Sequence, residues 1–244
     1  MMKMFEKKAA TRRSLINAAV TLFSDTGFDK TTMKQIARAG GVGDATVYKY
    51  FANKELILLA YFEQCAQDSI DQALASSDFS DFNLHEKMQL LIDLYIETLI
   101  SEREFVLFCV DKFSNSPLFL LQDALKVQLL FRKVMFDFLS AAEDSGEIPE
   151  VPFKGPIANL LAEYVFAVLF FWCKDDSEEF SDTSQMLDLS LGIIVLLLQS
   201  GLLNKITEFG GFMFKAQLFN LMTNKSGLMS LLQSSKAGFA GLKL

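Results

Sequence analysis

The chain has 244 residues, 51% of them apolar, and a formal net charge of −7 at neutral pH. That is enough apolar material for one medium core, or for a small and a larger one. Its cysteines, Cys65, Cys109 and Cys173, stand far apart with no CxxC pair, which argues against a disulfide scaffold; with His85 as the lone histidine, no metal, cofactor or enzymatic activity is expected.

The first helix is predicted from about Lys8 to Asp25, because Leu15, Ala18, Ala19, Leu22 and Phe23 recur at helical spacing. Gly27 suits a left-handed C-terminal cap, after which Phe28 can fold back on the last turn. Thr31 or Thr32 can cap a second, two-turn helix whose Met33, Ile36 and Ala37 face inward. Gly40, Gly41 and Gly43 permit a tight turn around an inward Val42. A third helix then begins at Gly43 or Asp44, with Val47 and Phe51 directed inward four residues apart. Short helix, glycine turn and second short helix over Thr31 to Lys54 is the order a DNA-reading helix-turn-helix requires.

The residues left outward suit a major groove. Ala45 can touch a thymine methyl, Thr46 can donate or accept, and Lys49 can reach guanine acceptors or a phosphate; Tyr50 also faces out. The hydroxyls of Tyr48 and Tyr50, the ammonium of Lys54 and the backbone amides near Thr32 can hold phosphates. Asp44 either caps the third helix or accepts from a cytosine amino group. Charge divides the same way: residues 1–54 hold ten basic and four acidic residues, a balance of +6, and the remainder stands at −13. A basic head on an acidic body brings only the head to a polyanion.

Gly27, Phe28, Thr32, Ile36, Ala37, Val42, Thr46, Val47, Tyr48, Tyr50, Phe51, Lys54, Glu55 and Leu56 lie in one register, and over Thr11 to Leu59 the chain resembles the N-terminal domain of TetR-family transcriptional regulators. The resemblance implies an all-α protein with a three-helix helix-turn-helix domain and a larger helical ligand-binding and dimerisation domain. It implies DNA contacts at Thr32, Asp44, Ala45, Thr46, Tyr48, Lys49, Tyr50 and Lys54. Gly43 departs from the pattern, which often has serine there, so a weaker cap and one fewer phosphate contact are expected. The domains are read as 1–54 (DNA-binding), 55–204 (ligand-binding and dimerisation) and 205–244 (a helical extension where many family members have already ended).

In the body, a long helix runs from Lys54 to about Leu74, followed by the polar stretch SSDFSDFN. Leu84, Met88, Leu91, Ile92, Tyr95 and Leu99 mark the inward stripe of the next helix. A short helix covers about Glu102 to Lys112, and Asn115-Ser116-Pro117 opens a long one to about Glu143. Gly146, Pro149, Pro152 and Pro156 form a break before helices at about Ile157 to Lys174 and Thr183 to Leu203, which the loop KDDSEEFSD separates. Their surplus of apolar residues, among them Leu161, Val168, Phe171, Leu189, Ile193 and Leu196, suits a four-helix interface in a homodimer, an arrangement the family commonly uses. Two heads one DNA turn apart, roughly 34 Å, would then match a palindromic operator.

Of the 24 phenylalanines most lie in the body. An apolar small-molecule effector is expected there, with Phe62, Tyr95, Phe105, Phe108, Phe131, Tyr164 and Trp172 as candidate contacts. After Leu203, Phe209, Phe212, Met213, Ala216 and Phe219 share one helical face, and Gly227, Gly238 and Gly241 break the helical pattern nearer the C-terminus. That face suits an extra helix packed on the body or across the dimer; with only Lys205, Lys215 and Lys225 beside it, it suits a membrane surface less well. The apolar runs Val165 to Cys173 and Ile193 to Leu198 fall short of the ~18 residues of a membrane span, so a cytoplasmic protein is expected. The function expected is that of a dimeric, ligand-responsive repressor; the alternative is a helical hydrophobe-binding protein whose head does not bind DNA.

Overall fold

The computed structural model describes residues 2–114 and 124–223, and the expected helix start at Asn115-Ser116-Pro117 and the breaks at Gly227, Gly238 and Gly241 lie outside them. Ten α-helices and one 3₁₀ turn make up the described residues, with no strand among them. The head contains α1 (Met2–Thr26), α2 (Met33–Ala39) and α3 (Asp44–Val47). The body follows with α4 (Lys54–Ala75), α5 (Leu84–Ile100), α6 (Arg103–Ser114), α7 (Ala124–Asp144), α8 (Lys154–Cys173), α9 (Ser181–Gln199) and α10 (Leu202–Thr223).

Local chemistry explains most of the helix ends. Gly27 takes φ +86° and stops α1, a conformation a side chain would strain. Asn53 accepts from Leu56 N at 2.9 Å to start α4, and Asn83 with Glu86 forms a capping box that starts α5. All six residues of the expected α5 stripe are buried. Pro156 lies inside the first turn of α8, where a missing N–H costs nothing, so that helix starts three residues earlier than its sequence pattern suggests.

The loop between α8 and α9 is a built cap. Asp175 accepts from Ser177 N at 2.8 Å and Thr183 N at 2.8 Å as well as from both hydroxyls. Burial pushes its carboxyl up, but these four hydrogen bonds outweigh it and hold the group well below the usual carboxylate range. A depressed carboxyl stabilises the fold above its ordinary pKa, and that stability is lost as pH falls through the folded value.

Head and body share a single continuous core, from Leu15 on α1 to Leu198 on α9. Between them, Arg12 Nη2 donates to Glu63 Oε2 at 2.6 Å, Arg13 pairs with Asp68, and Ser24 Oγ donates to Glu102 Oε2 at 2.9 Å. The Phe23 ring lies 5.8 Å from that of Phe105, and Phe28 lies 5.7 Å from Phe108. Helices α8 and α9 are each long and apolar enough to cross a membrane by length and composition, although their sequence runs fall short of one. Part of that apolar surface is buried in the fold, 44% of the α8 window and 28% of the α9 window, the latter including the 3₁₀ turn.

Candidate nucleic-acid interface

The head's recognition surface is held from within by a small core. Leu15, Ile36, Ala37 and Val47 are fully buried, and Phe51 is nearly so. Thr32 starts α2 with a capping box: Gln35 N donates to Thr32 Oγ1 at 3.3 Å, and Thr32 N donates to Gln35 Oε1 at 2.8 Å. Thr31 is instead buried, its hydroxyl donating to Gly27 O at 2.9 Å. In the turn, Gly41 takes φ +72°, and a Cβ on Gly40 would stand 2.7 Å from Leu15 Cδ2. Both glycines are therefore required, one for conformation and the other for close approach.

Helix α3 itself has four residues. Bonds from Lys49 N to Thr46 O at 3.0 Å and from Phe51 N to Val47 O at 2.9 Å carry the winding on to Phe51. Burying Val47 and Phe51 turns Ala45, Tyr48 and Lys49 outward, whereas Thr46 is half-buried and Tyr50 packs against the core. Gly43 is the N-cap and offers no side-chain acceptor. Asp44 stands one position inside the helix, exposed, with Oδ2 3.7 Å from Lys34 Nζ. It complements the positive end of α3 but does not cap it.

Lys54 is engaged within the chain. Its ammonium donates to Phe28 O at 2.6 Å and Thr31 O at 2.8 Å and lies over the Phe28 ring, so it ties the α1–α2 loop to the start of α4. A phosphate would have to compete with those two carbonyls. Conversely, Lys7, Lys8 and Thr11 of α1 border a concavity of about 610 Å³ with Val42, Gly43, Thr46 and Tyr50. In the sequence these lysines enter the charge balance without a place on the surface. The available signal is the spacing of Lys7, Lys8 and Thr11, which puts them on neighbouring rows of one helix surface.

In the body, Tyr95, Phe131 and Trp172 are fully buried, and Phe62 and Phe105 nearly so. Tyr164 is half-buried, its hydroxyl 2.6 Å from Ser190 Oγ. Phe105 and Phe108 border an open cleft of about 630 Å³ between head and body, floored by Phe23 and Phe28 and edged by Lys30 and Arg103. The seven candidate contacts are thus spread between the packed interior and this cleft. Among the described residues, Tyr95 Oη, Trp172 Nε1 and Arg103 Nε are buried without a hydrogen-bond partner. Burial pushes the Cys65 thiol up to about 12 and that of Cys173 to about 11, so neither supplies a thiolate at neutral pH.

Of the six candidate dimer residues, Leu189, Ile193 and Leu196 are 60–65% exposed and Phe171 is 42% exposed. Leu161 and Val168 are corrected, because both are buried in the chain's own core while Leu160 and Phe170 face out. Helix α8 is apolar on nearly every side, so periodicity could not separate its inner face from its outer one.

A closed three-helix unit that turns a short reading helix outward beside a basic concavity defines a helix-turn-helix DNA-binding regulator. Residues 15–61 match the model for bacterial regulatory proteins of the tetR family, and residues 87–213 match the tetracyclin repressor-like C-terminal domain. The chain belongs to the TetR family. It is 25% identical over 205 residues to the fatty acid metabolism regulator protein of Bacillus subtilis, an alignment spanning 82% of this chain and 100% of the relative. It is also 30% identical over 103 residues to the biofilm operon negative transcriptional regulator IcaR of Staphylococcus epidermidis, covering 42% of this chain and 53% of that one. The fold matches a TetR transcriptional regulator from Nitrosomonas europaea with a TM-score of 0.56 and 19% identity, over 75% of this chain and 96% of the other. It matches the FadR regulator of Bacillus subtilis, solved in complex with stearoyl-CoA, with a TM-score of 0.51 and 22% identity over 78% and 98% of the two chains.

Proposed function

We propose that this DNA-binding regulator is a repressor that grips a palindromic operator as a homodimer and releases it when an apolar small molecule enters the helical body. The observation that carries the reading is the exposed face of Ala45, Tyr48 and Lys49 on a closed core, beside Lys7 and Lys8. Small side chains there allow approach to base edges, and the lysines neutralise phosphates. The exposed row on α9 supports a dimer whose two heads face one side of the duplex. The negative regulator among the relatives is in keeping with repression.

For the effector, Tyr95 Oη and Trp172 Nε1 are buried without a hydrogen-bond partner in a largely apolar interior and suit a ligand with a long apolar part and few polar atoms. A relative that regulates fatty acid metabolism, and a similar fold holding stearoyl-CoA, favour an acyl chain as that apolar part. Phe23, Phe28 and Ser24 of the head rest on Phe105, Phe108 and Glu102 of the body at α6 and its start, so a ligand that prefers one setting of α6 shifts the heads with it.

Genomic fragments retained by the purified protein provide the operator, and fluorescence anisotropy measures binding. Lys49→Ala should weaken operator binding roughly 5- to 50-fold and reduce the salt slope by about one, with the circular dichroism spectrum unchanged. Wild-type affinity in that variant would overturn the assigned reading face. Stearoyl-CoA, but not coenzyme A alone, should release the operator. Equal effects of the two would remove the acyl chain from the proposal, and ligand binding without salt-dependent DNA binding would favour a plain hydrophobe carrier.

A further inference from the structure

Helix α10 is fixed to the body at its base. Gly201 turns the chain with φ +66°, Leu203 packs against the core, and Asn204 Nδ2 donates to Glu150 O at 2.9 Å. Beyond that point Leu202, Ile206, Phe209 and Met213 succeed one another at four-, three- and four-residue steps along a single stripe, with Phe212 beside it. These five side chains are 45–66% exposed. The stripe starts directly after the Ser200–Gly201 turn, where the exposed α9 row ending at Leu197 stops.

The stripe is a large apolar feature for a chain in water. An aromatic side chain buries about 150–250 Å² when covered, so the stripe presents several hundred Å² before the α9 row is added. Soluble monomers rarely expose contiguous apolar patches beyond a few hundred Å², and a stable interface takes about 800 Å² from each partner. The α9 row adds Leu189, Ile193, Leu196 and Leu197, each 45–65% exposed. A lipid surface is the poorer occupant, because the flanks of the stripe offer only Lys205, already paired with Glu208 at 3.1 Å, and Lys215.

We infer that α10 is a dimerisation arm, its stripe packing on a second copy of this chain and extending the interface made by α8 and α9. This rests on the homodimer proposed above. In a two-fold arrangement each copy lends one arm and receives the other. The match to the family's C-terminal domain runs to residue 213, so the stripe lies within the shared domain and only the end of α10 continues past it.

Sedimentation equilibrium of the full chain, with vesicle co-flotation, tests the inference. Phe209→Asp with Phe212→Asp should weaken self-association at least tenfold with helix content unchanged, whereas Phe214→Asp, on another side of α10, should leave it within twofold. Wild-type association of the double variant would overturn the arm while leaving the dimer itself standing. A wild-type chain that stays monomeric at tens of micromolar would overturn both. Flotation of the wild type, but not of the double variant, with phosphatidylglycerol–phosphatidylcholine vesicles would overturn the arm in favour of a membrane contact.

Discussion

The head and the outer side of α8 to α10 treat their apolar residues in opposite ways. In the head, Leu15, Ile36, Ala37 and Val47 are fully buried, and the surface turned to the reading helix is polar or small. Along α9 and α10, Leu189, Ile193, Leu196, Ile206, Phe209 and Phe212 are all more than half exposed. Covering one such side chain stabilises by roughly 1.5–3 kcal/mol, so leaving a row of them in water is costly. The head buries its apolar residues within itself and against the body. The far side of the body keeps its apolar rows in water, the surface proposed above to be covered by a second copy.

The largest expected effect breaks the second region and leaves the first intact. Ile193→Asp with Leu196→Asp should weaken self-association by at least about 100-fold, as loss of two covered aliphatic side chains implies. Operator binding should fall with it, while circular dichroism and single-chain melting hold near wild type; a fully dimeric variant in sedimentation would show that α9 lies outside the interface. A medium effect breaks the head from inside. Gly40→Ala puts a methyl 2.7 Å from Cδ2 of the fully buried Leu15 and should destabilise by about 1–3 kcal/mol in denaturant titration. Two-state melts indistinguishable from wild type would mean that α1 and the turn can separate without cost.

The smallest effect sharpens the head. A Cβ on Gly43 meets nothing nearer than Thr46 Oγ1 at 3.8 Å, and φ is an ordinary −72°. Gly43→Ser should therefore cap α3, adding a few tenths of a kcal/mol of stability, and tighten operator binding a few-fold through a hydroxyl placed beside the basic concavity. Weaker binding at equal salt would indicate that the duplex backbone approaches Gly43 too closely for a side chain.

Legibility depends on how tightly each element's pattern constrains its environment. The α5 stripe and the Gly27 cap are readable because one periodicity and one backbone conformation each admit few solutions. The outward set at Ala45, Tyr48 and Lys49 is readable for the same reason, since burying Val47 and Phe51 leaves no other face. The intrachain partners of Lys54 are not readable, because a lysine in a basic head suits a phosphate and a pair of carbonyls equally well. Only the approach of the α1–α2 loop to the start of α4 favours the carbonyls. Tyr50 reads as fully outward, yet its ring completes the head's core.

The sequence by itself determined the all-α class, the helix-turn-helix and which side of its third helix is left outward, because glycines, caps and 3.6-residue periodicity act over a few neighbouring residues. Tertiary structure alone decided which side of α8 is inside, since Leu160 and Leu161 are chemically alike and differ only in what packs against them. It also decided that Lys7 and Lys8 come to stand beside Gly43 and Thr46. Those juxtapositions join residues distant in the chain, and no local propensity encodes them.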